Sequence, residues 1–464
     1  MDNNKPMKNK KIKLLDMILF SVCSIVVLDT VGSSSAMGVQ GISIWILALI
    51  LFFIPYGLIS AELGSTWPEA GGIYIWTKRA FGDFWGTLVS WLYWINVVYW
   101  MPSVYVTFAG TLTSIFTPSM SAWGQCIIAI SLIWITVGLG IFNFNFSEKL
   151  ANIGAIIKVS VLIFLGTIGI IYTIRFGIAN NFSPSSFKIS LNNTLSFAPT
   201  VIYNLLGFEV ISSLANKFDN PKKDVPKSIM LAGVLIGFVY IFGIFGILAV
   251  IPANKINIVT GLCDALKILV FNVLGKNFSY IYFFLAIGFL FTLVTNMVAW
   301  ALGSNNVISE TGLDKKMKVL GHKHSKYNTP DYAYYIMGVV GSIIVATNYI
   351  GVQNVQQIYW TIFAFSSIIF LIPYIFMFAA VIKLRYIEKD KVRPYKIPGG
   401  KLVTWICVIV GEILLIGSTI FFFLPPSSTK NIFRYELFLV TGVLITIFIG
   451  ILIAMKGKKT ENTV

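Results

Sequence analysis

Two polar interruptions inside long apolar segments contain the residues of this sequence that are best suited to bind a small ion. The first runs from Asp29 to Gly38 and includes three consecutive serines. The second follows Pro199 and reads Tyr203-Asn204-Leu205-Leu206-Gly207-Phe208-Glu209. Gly, Ser, Asp and Asn are poor helix formers, so we expect both segments to lose helical hydrogen bonds and to offer their backbone groups to other partners.

An interrupted helix offers both kinds of group that an amino acid needs, namely donors for its carboxylate and acceptors for its ammonium. The helix that follows a break presents free N–H groups and the positive end of the helix dipole, and the helix that precedes it ends in free carbonyls. We predict that the donors are Gly32, Ser33 and Ser34. The predicted acceptors are the carbonyls of Thr30 and Leu206, and the further lining residues are Asn96, Asn204 and Gly207.

Asp29 is the residue with the most specific chemistry. A carboxylate at the middle of a membrane span costs about 2.5–3.5 kcal/mol on insertion scales, so such a group usually has a partner. One possible partner is the amine of a substrate that carries an extra positive charge or lacks a carboxylate. The alternative is a protonated Asp29 that is hydrogen-bonded to the unwound backbone.

The elements that must position these residues are long apolar segments. Of the 464 residues, 56% are hydrophobic and 12% are charged, about half the charge of a soluble globule. Apolar runs of about 18 residues or more cross a hydrocarbon layer of about 30 Å as helix. The sequence therefore predicts an all-α integral membrane protein with twelve spans, at 14–38, 42–65, 84–116, 122–143, 148–174, 195–215, 228–252, 278–308, 332–350, 356–382, 403–424 and 433–455.

The basic residues predict the orientation of these spans. An even number of spans puts both termini on one side, and placing them in the cytoplasm assigns 27 of the 35 Lys and Arg residues to cytoplasmic segments and 7 to outer loops. This asymmetry follows the positive-inside rule. The net charge of +16 is therefore explained by topology and attraction to lipid, and we expect no nucleic-acid partner. The four cysteines have no paired spacing, which argues against a disulfide framework or a metal site.

The two interruptions occupy corresponding positions if the first ten spans form two halves of five, because they fall in spans 1 and 6. Paired interruptions of this kind predict an inverted-repeat transporter whose binding site lies at the membrane midplane. The alternative is that Gly and Ser allow close helix packing. That alternative explains a lone glycine, but it does not explain two breaks in register that each contain an acid.

Three stretches resemble motifs of amino acid–polyamine–organocation permeases. They are Ala61-Glu62-Leu-Gly-Ser-Thr-Trp-Pro68-Glu69-Ala-Gly71-Gly72-Ile-Tyr74-Ile-Trp76 after span 2, Gly207-Phe-Glu209 followed by Asn220-Pro221-Lys-Lys-Asp-Val-Pro226 after span 6, and Ser309-Glu-Thr-Gly312-Leu313 with Thr329-Pro330 after span 8. Their order and spacing extend the resemblance over roughly residues 10–400. Within this superfamily, span 1 and the Phe53-Ile-Pro55 turn are similar to bacterial glutamate/GABA-antiporter-like permeases, and the same region also resembles polyamine permeases.

The resemblance implies a LeuT-like fold, with ten core helices in two inverted repeats, two peripheral helices, and a site between spans 1, 3, 6, 8 and 10. It implies that Tyr203 closes over the substrate, although an ordinary interhelical contact is the alternative. Most amino acid permeases of this superfamily carry a neutral residue at the place of Asp29, so this acid departs from their pattern. Glu209 matches the superfamily's gating acid.

Lys158 falls where sodium-independent members carry a lysine whose ammonium replaces a sodium ion. We therefore expect it to couple transport to protons rather than to sodium. The alternative is that its side chain snorkels to the inner interface. The predicted lining residues of span 8 are Thr292, Thr295, Asn296 and Trp300.

These features predict five regions. They are a basic cytoplasmic N-terminus (1–13), a first repeat (14–174), a second repeat (195–382), two peripheral spans (403–455) and a cytoplasmic tail (456–464). We expect a bacterial plasma-membrane protein with both termini in the cytoplasm and with the apolar first span retained.

The predicted function is secondary active transport of amino acids or their amine derivatives, as an antiporter or a proton-coupled symporter. A polyamine or diamine permease that uses Asp29 as the amine counter-ion is the alternative, and a channel or receptor is a more remote one. The sequence lacks the phosphate-binding motif of an ATP-driven pump. The two histidines, His322 and His324, lie in a Lys-rich loop, so they do not suggest an enzyme. The expected partners are the small-molecule substrate, protons and the lipid bilayer, with no cofactor, and the sequence carries no signal for an oligomeric state.

Overall fold

The structure is a computed structural model that describes residues 14, 18, 21–22, 25–69, 71–142, 144–190, 195–209, 221–350, 354–426 and 429–456. Within these residues the chain forms helices and contains no β-strand. Several predicted features lie outside the described residues, namely the basic N-terminus 1–13, Cys23, Asn220 and the tail beyond Lys456. Cys126, Cys263 and Cys407 are buried free thiols.

We number the helices of the described residues in chain order. They are α1 (Val31–Ala36), α2 (Gln40–Thr66, with a π turn at Leu49–Phe53), α3 (Ile73–Phe81), α4 (Asp83–Phe116), α5 (Ala122–Phe142), α6 (Phe144–Phe176), α7 (Pro199–Asn204), α8 (Pro221–Val250), α9 (Gly261–Leu269), α10 (Ser279–Thr311), α11 (Leu313–Lys316), α12 (Asp331–Tyr349), α13 (Val355–Ile387), α14 (Gly400–Phe421) and α15 (Ile432–Lys456). A further π turn (Val270–Leu274) and three short 3₁₀ turns (Pro184–Phe187, Ala253–Lys255 and Lys276–Phe278) lie in the connections.

Eight of these helices are long and apolar enough to cross a membrane. They are α2, α5, α6, α8, α10, α13, α14 and α15. The outer helices also expose large apolar side chains, such as Ile413 on α14 (64% exposed) and Leu444 on α15 (62% exposed). Apolar surface of this extent requires a hydrocarbon environment. The chain is therefore a helical, multi-pass membrane protein.

The centre of the molecule is built around α4 and α13, which pack against each other. Both contribute large side chains that are fully buried, including Trp94 and Trp100 on α4 and Tyr359 and Trp360 on α13. Helices α10, α5 and α15 pack on other faces of α4, and α8 packs against α6, α2 and α1. The two short helices, α1 and α7, lie inside this assembly, and all six residues of α7 are buried.

Both predicted breaks are present in the backbone, but the first begins earlier than the predicted stretch 29–38. Residues 31–36 of that stretch are helical, and the N–H of Ser34, which we predicted to be free, donates to the carbonyl of Thr30 at 3.0 Å. Residues 26–30 are not helical, and helical structure resumes in α1 at Val31. In the second break α7 ends at Asn204, and residues 205–208 are not helical. The sequence prediction did not include two amphipathic helices in the connections, α3 and α9, because both are too short and too polar to be read as spans.

Candidate functional site

The first break places Asp29 in the interior, where its side chain is 2% exposed. One carboxylate oxygen, Oδ2, accepts a hydrogen bond from the indole N–H of Trp100 at 3.3 Å. The other oxygen, Oδ1, is buried and has no hydrogen-bond partner among the described residues. A buried carboxylate oxygen without a donor is costly. Asp29 therefore has unused capacity to accept hydrogen bonds from a bound cation.

Side chains from other helices satisfy the backbone that this break frees. The hydroxyl of Tyr359 on α13 donates to the carbonyl of Asp29 at 2.9 Å. The hydroxyl of Tyr240 on α8 accepts from the N–H of Val27 at 2.8 Å and donates to its carbonyl at 3.1 Å. The unwound backbone thus has defined partners, as membrane interiors require.

The second break depends on Gly207, whose φ of +109° favours glycine. The hydroxyl of Tyr56 on α2 accepts from the N–H groups of Gly207 and Phe208, at 3.1 and 2.9 Å. A Cβ on Gly207 would also lie 3.2 Å from Cγ1 of Ile25, just before the first break. The second break is therefore held by a tyrosine and packed against the first.

A side-chain hydrogen bond joins the two breaks directly. The hydroxyl of Thr30 donates to Oδ1 of Asn204 at 3.0 Å, and both side chains are buried. The amide nitrogen of Asn204 has no hydrogen-bond partner among the described residues. The two segments that the sequence separates by more than 170 residues thus form one polar centre.

Aromatic rings enclose the interior near Asp29. The ring of Trp100 contacts Tyr203 edge to face, with centroids 6.1 Å apart, and Trp300 at 5.6 Å. Tyr203 in turn contacts Phe363 and Phe370 at 5.1 and 5.4 Å. Aromatic faces attract cations, most strongly where water is excluded. An acid among such rings is suited to bind an organic cation.

Glu209 lies at the other end of this aromatic cluster and is fully supplied with donors. Its Oε2 accepts from Tyr56 at 2.6 Å, and its Oε1 accepts from Tyr93 at 3.1 Å and from Tyr374 at 2.9 Å. The ring of Phe370 lies 5.1 Å from Tyr374 and 5.4 Å from Tyr203, so the two ends are connected through packed rings. Glu209 joins the second break to α2, α4 and α13.

The other predicted residues of the first break are buried but serve different contacts. The hydroxyl of Ser33 donates to the carbonyl of Thr30 at 2.8 Å. The hydroxyl of Ser34 has no hydrogen-bond partner among the described residues. A Cβ on Gly32 would meet the carbonyl oxygen of Ile258 at 2.4 Å, so this glycine allows a close backbone approach.

Asn96 and Leu206 are buried as well, and Oδ1 of Asn96 has no hydrogen-bond partner among the residues described. Asn96 lies one helical turn before Trp100 on α4, on the same face. Leu206 follows the tight turn after α7, where its N–H donates to the carbonyl of Tyr203 at 3.2 Å.

Lys158 on α6 is 3% exposed, and its ammonium donates to Oδ1 of Asn296 on α10 at 3.0 Å. The side chain therefore does not snorkel to an exposed position. Of the other candidates on α10, Thr292 and Thr295 donate to carbonyls of their own helix. Trp300 belongs to the aromatic cluster.

The structure thus brings Asp29, Thr30, Tyr203 and Asn204 together, and it connects Glu209 to them through Phe370. Sequence reasoning missed the residues that surround the two acids: Trp100, Tyr56, Tyr93, Tyr240, Tyr359 and Tyr374. Aromatic residues make up 15% of the chain, and no spacing distinguishes these from the rest. Only their position on helices that face the breaks identifies them.

A deep, polar centre formed by two interrupted helices inside a multi-pass bundle is the arrangement of a secondary transporter. The comparison with protein families agrees, because the model for amino acid permeases matches residues 12–453. The chain therefore belongs to the amino acid permease family, within the amino acid–polyamine–organocation superfamily, and it is a transporter rather than an enzyme. The family predicted from three sequence motifs is confirmed.

Relatives over nearly the whole chain carry related descriptions. The chain is 33% identical, over 99% of its length and 97% of the relative's, to a Lactococcus lactis protein described as a "probable agmatine/putrescine antiporter". It is 20% identical, over 99% of its length and 93% of the relative's, to a glutamate/gamma-aminobutyrate antiporter of the same species. A "probable polyamine transporter" of Arabidopsis thaliana is 24% identical over 83% of the chain and 74% of that protein.

Proposed function

We propose that this protein exchanges small aliphatic amines, such as diamines or decarboxylated amino acids, across a bacterial plasma membrane by alternating access. The observation that carries this proposal is the environment of Asp29. Its Oδ1 is buried without a hydrogen-bond partner among the described residues. Its Oδ2 accepts from Trp100, whose ring contacts that of Tyr203. An ammonium or guanidinium group supplies the donor that Oδ1 lacks, and its positive charge balances that of the buried carboxylate.

The comparison with the agmatine/putrescine antiporter supports the same substrate class. Both molecules in that description are amines that lack a carboxylate, which is the type of ligand that a lone acid in an aromatic enclosure suits. In this proposal Trp100 and Tyr203 form walls for the aliphatic part. The remaining predicted lining groups are Thr30, Gly32, Ser33, Ser34, Asn96, Asn204, Leu206 and Gly207.

We further propose twelve spans in a five-plus-five arrangement. Helices α4 and α12 and the two interrupted segments would add four spans to the eight that are recognised by length and apolarity. The first repeat would then comprise residues 14–174 and the second 195–382, with α14 and α15 peripheral. The distribution of Lys and Arg favours cytoplasmic termini.

We assign a gating role to Glu209 and a proton-coupling role to Lys158. Glu209 holds α2, α4 and α13 through three tyrosine hydroxyls, so breaking these bonds would release three helices from the second break. Lys158 has a buried ammonium that donates to the amide oxygen of Asn296 at 3.0 Å, and it lies where the family resemblance implies a lysine that replaces a sodium ion.

Exchange of amino acid zwitterions is the second candidate, and the hydroxyl of Ser34 favours it. This hydroxyl is buried in α1 without a hydrogen-bond partner among the described residues, so it is available to a substrate carboxylate. The glutamate/gamma-aminobutyrate antiporter among the relatives agrees with such a substrate. The two candidates differ in the substrate. In the first, Asp29 contacts an amine that carries no carboxylate, and in the second the substrate also carries a carboxylate.

The experiment that separates them is exchange in proteoliposomes loaded with putrescine, with labelled agmatine or putrescine outside and a panel of diamines and neutral amino acids as competitors. We expect the amines to compete and the amino acids not to compete. Asp29→Asn should lower the affinity for amines by about tenfold to a hundredfold, because hydrogen bonds to charged groups contribute about 1.5–3 kcal/mol.

Asp390→Asn is the matched control, since Asp390 is exposed and far along the chain from either break. It should exchange amines as the unmodified protein does. Exchange of zwitterions without competition by amines would reject the amine proposal and favour the second candidate. Flux that increases linearly with substrate concentration, without saturation, would instead indicate a channel.

A further inference from the structure

Tyr56 and Tyr240 each bind the backbone of the break that lies in the other half of the chain. Tyr56 lies on α2, the long helix that follows the first break, and it binds the backbone of the second break. Tyr240 lies on α8, the long helix that follows the second break, and it binds the backbone of the first. Both side chains are fully buried.

The hydroxyl of Tyr240 satisfies both polar groups of one residue. It accepts from the N–H of Val27 at 2.8 Å and donates to the carbonyl of Val27 at 3.1 Å. Its ring is stacked on Trp45 of α2, with centroids 4.6 Å apart and planes 25° apart. The ring contact fixes where the hydroxyl lies, and Val27 is two residues before Asp29.

The hydroxyl of Tyr56 binds the backbone of the second break in a similar way, but it donates to a side-chain carboxylate instead of a backbone carbonyl. It accepts from the N–H groups of Gly207 and Phe208 and gives its proton to Oε2 of Glu209. The ring is held by Phe208 edge to face and by stacking on Phe52. Tyr56 therefore fixes both the backbone before Glu209 and the carboxylate itself.

A peptide group released from a helix inside a membrane needs a new partner, because neither lipid nor bulk water supplies one. A tyrosine hydroxyl can accept and donate at once. A hydroxyl on a rigid ring also fixes the direction of the peptide group that it binds. The orientation of each break is therefore set by a helix of the other half of the chain.

We infer that Tyr56 and Tyr240 are positioning residues of the transport site, and we call them the tyrosine clamps. Tyr240 sets the direction in which Asp29 presents its carboxylate, and Tyr56 sets Glu209 among its tyrosines. This inference rests on the proposed function insofar as the two breaks form the substrate site. The contacts themselves do not depend on which substrate is transported.

A measurement that needs no substrate tests the clamps directly, namely backbone amide hydrogen exchange of the full-length protein in lipid nanodiscs. Tyr240→Phe removes the hydroxyl and keeps the ring. We expect it to speed exchange of the peptide that contains Val27 by about tenfold or more, the usual consequence of losing one buried hydrogen bond. The peptide that contains Gly207 and Phe208 should be unchanged, and Tyr56→Phe should give the reverse pattern.

Transport kinetics separate a positioning role from a general structural one. For Tyr240→Phe we expect the KM for the exchanged substrate to rise about tenfold while Vmax per folded molecule stays within about twofold, because the binding carboxylate is misdirected. For Tyr56→Phe we expect Vmax to fall about tenfold with KM nearly unchanged, because Glu209 is part of the gate rather than of the binding centre.

Tyr435→Phe is the matched control, since Tyr435 is also buried and donates to a backbone carbonyl, that of Phe422, rather than to the backbone of either break. It should alter neither kinetic constant. If Tyr240→Phe yields too little folded protein, Trp45→Phe tests the same clamp by loosening the ring, and it should speed exchange at Val27 alone. Equal exchange in both peptides for both variants, or an unchanged KM for Tyr240→Phe, would overturn the inference. Failure of the unmodified protein to exchange amines would reject the proposed function and leave the amide-exchange test intact.

Discussion

Two carboxylates occupy the two breaks, and their hydrogen-bond partners differ in a way that suggests different tasks. Glu209 accepts from three tyrosine hydroxyls, so both of its oxygens are used within the protein. Asp29 accepts from the indole of Trp100 on one oxygen, and its second oxygen has no donor among the described residues. A carboxylate with spare capacity is available to a ligand, whereas a saturated one holds neighbouring helices together. We therefore infer that Asp29 binds and Glu209 gates.

Tyr203 provides a test of the aromatic wall at the level of one side chain. If its ring attracts a substrate cation, Tyr203→Phe should keep the KM for putrescine within about threefold. Tyr203→Leu should raise it by about thirtyfold, since a desolvated cation–π contact contributes about 2 kcal/mol. The measurement is initial exchange rate against concentration. An unchanged KM in Tyr203→Leu would show that Tyr203 packs between helices and does not bind the substrate.

Lys158 provides a second test at this level, through the dependence of transport on pH. Lys158→Ala removes the buried ammonium that contacts Asn296, and we expect exchange to persist while its response to an imposed proton gradient is lost. Lys255→Ala, at an exposed position, is the control and should keep that response. A pH response that survives in Lys158→Ala would remove this residue from any coupling role.

At the level of elements, the breaks are maintained by backbone geometry as much as by side chains. Gly207 has a φ of +109°, and Gly32 allows the carbonyl of Ile258 to approach where a Cβ would lie 2.4 Å away. Each glycine is therefore required by a specific feature, a left-handed conformation in one case and a close contact in the other. The short helices α1 and α7 depend on these positions, because each has only six residues and cannot be stable by itself.

Gly207→Ala tests this dependence. A non-glycine residue in such a conformation costs about 1–3 kcal/mol, so we expect the variant to fold with lower thermal stability and to lose about nine tenths or more of its exchange rate. Gly417→Ala is the matched control, because Gly417 lies near the C-terminal end of α14 with open space where a Cβ would be added. It should match the unmodified protein in both thermal stability in detergent and exchange. Full activity in Gly207→Ala would show that the break tolerates other backbone geometries.

At the level of the whole molecule, a buried cluster of charged groups connects α2 to the end of α13 and the segment that follows it. The carboxylate of Glu62, near the end of α2, accepts from Nε of Arg385 on α13 at 2.8 Å and from the N–H of Ile397 at 2.8 Å. Arg393 lies 3.5 Å from the same carboxylate. Glu62 belongs to the first of the motifs that identified the family, so this motif has a structural task at one end of the bundle.

Glu62→Gln should destabilise the protein by about 3–5 kcal/mol, because it leaves two largely buried guanidinium groups without their carboxylate. The measurement is thermal unfolding in detergent. Glu388→Gln is the control, since Glu388 lies 3.9 Å from Arg79 in a more exposed pair and should contribute no more than about 1 kcal/mol. Equal stability of the two variants would show that the contact of Glu62 with the arginines does not stabilise the packing of α2 against α13.

The sequence alone was sufficient to predict the family, the helical membrane class and the approximate positions of both breaks. Long apolar runs indicate helices that are surrounded by lipid. Gly, Ser and acidic residues within such runs indicate where helical hydrogen bonds are lost. Asp29, Thr30, Tyr203, Asn204 and Glu209 were therefore predicted as candidate site residues from the sequence. These signals are local, because each depends on neighbours within a few turns of the chain.

The tertiary structure alone decided what surrounds these residues. Trp100 reaches Asp29 from α4, Tyr240 reaches Val27 from more than 200 positions away, and Tyr374 reaches Glu209 from α13. The chain contains 20 tyrosines and 12 tryptophans, and no local pattern marks the few whose polar atoms face a break. That choice depends on how long helices rotate and pack against one another, which is a property of the whole bundle rather than of any segment.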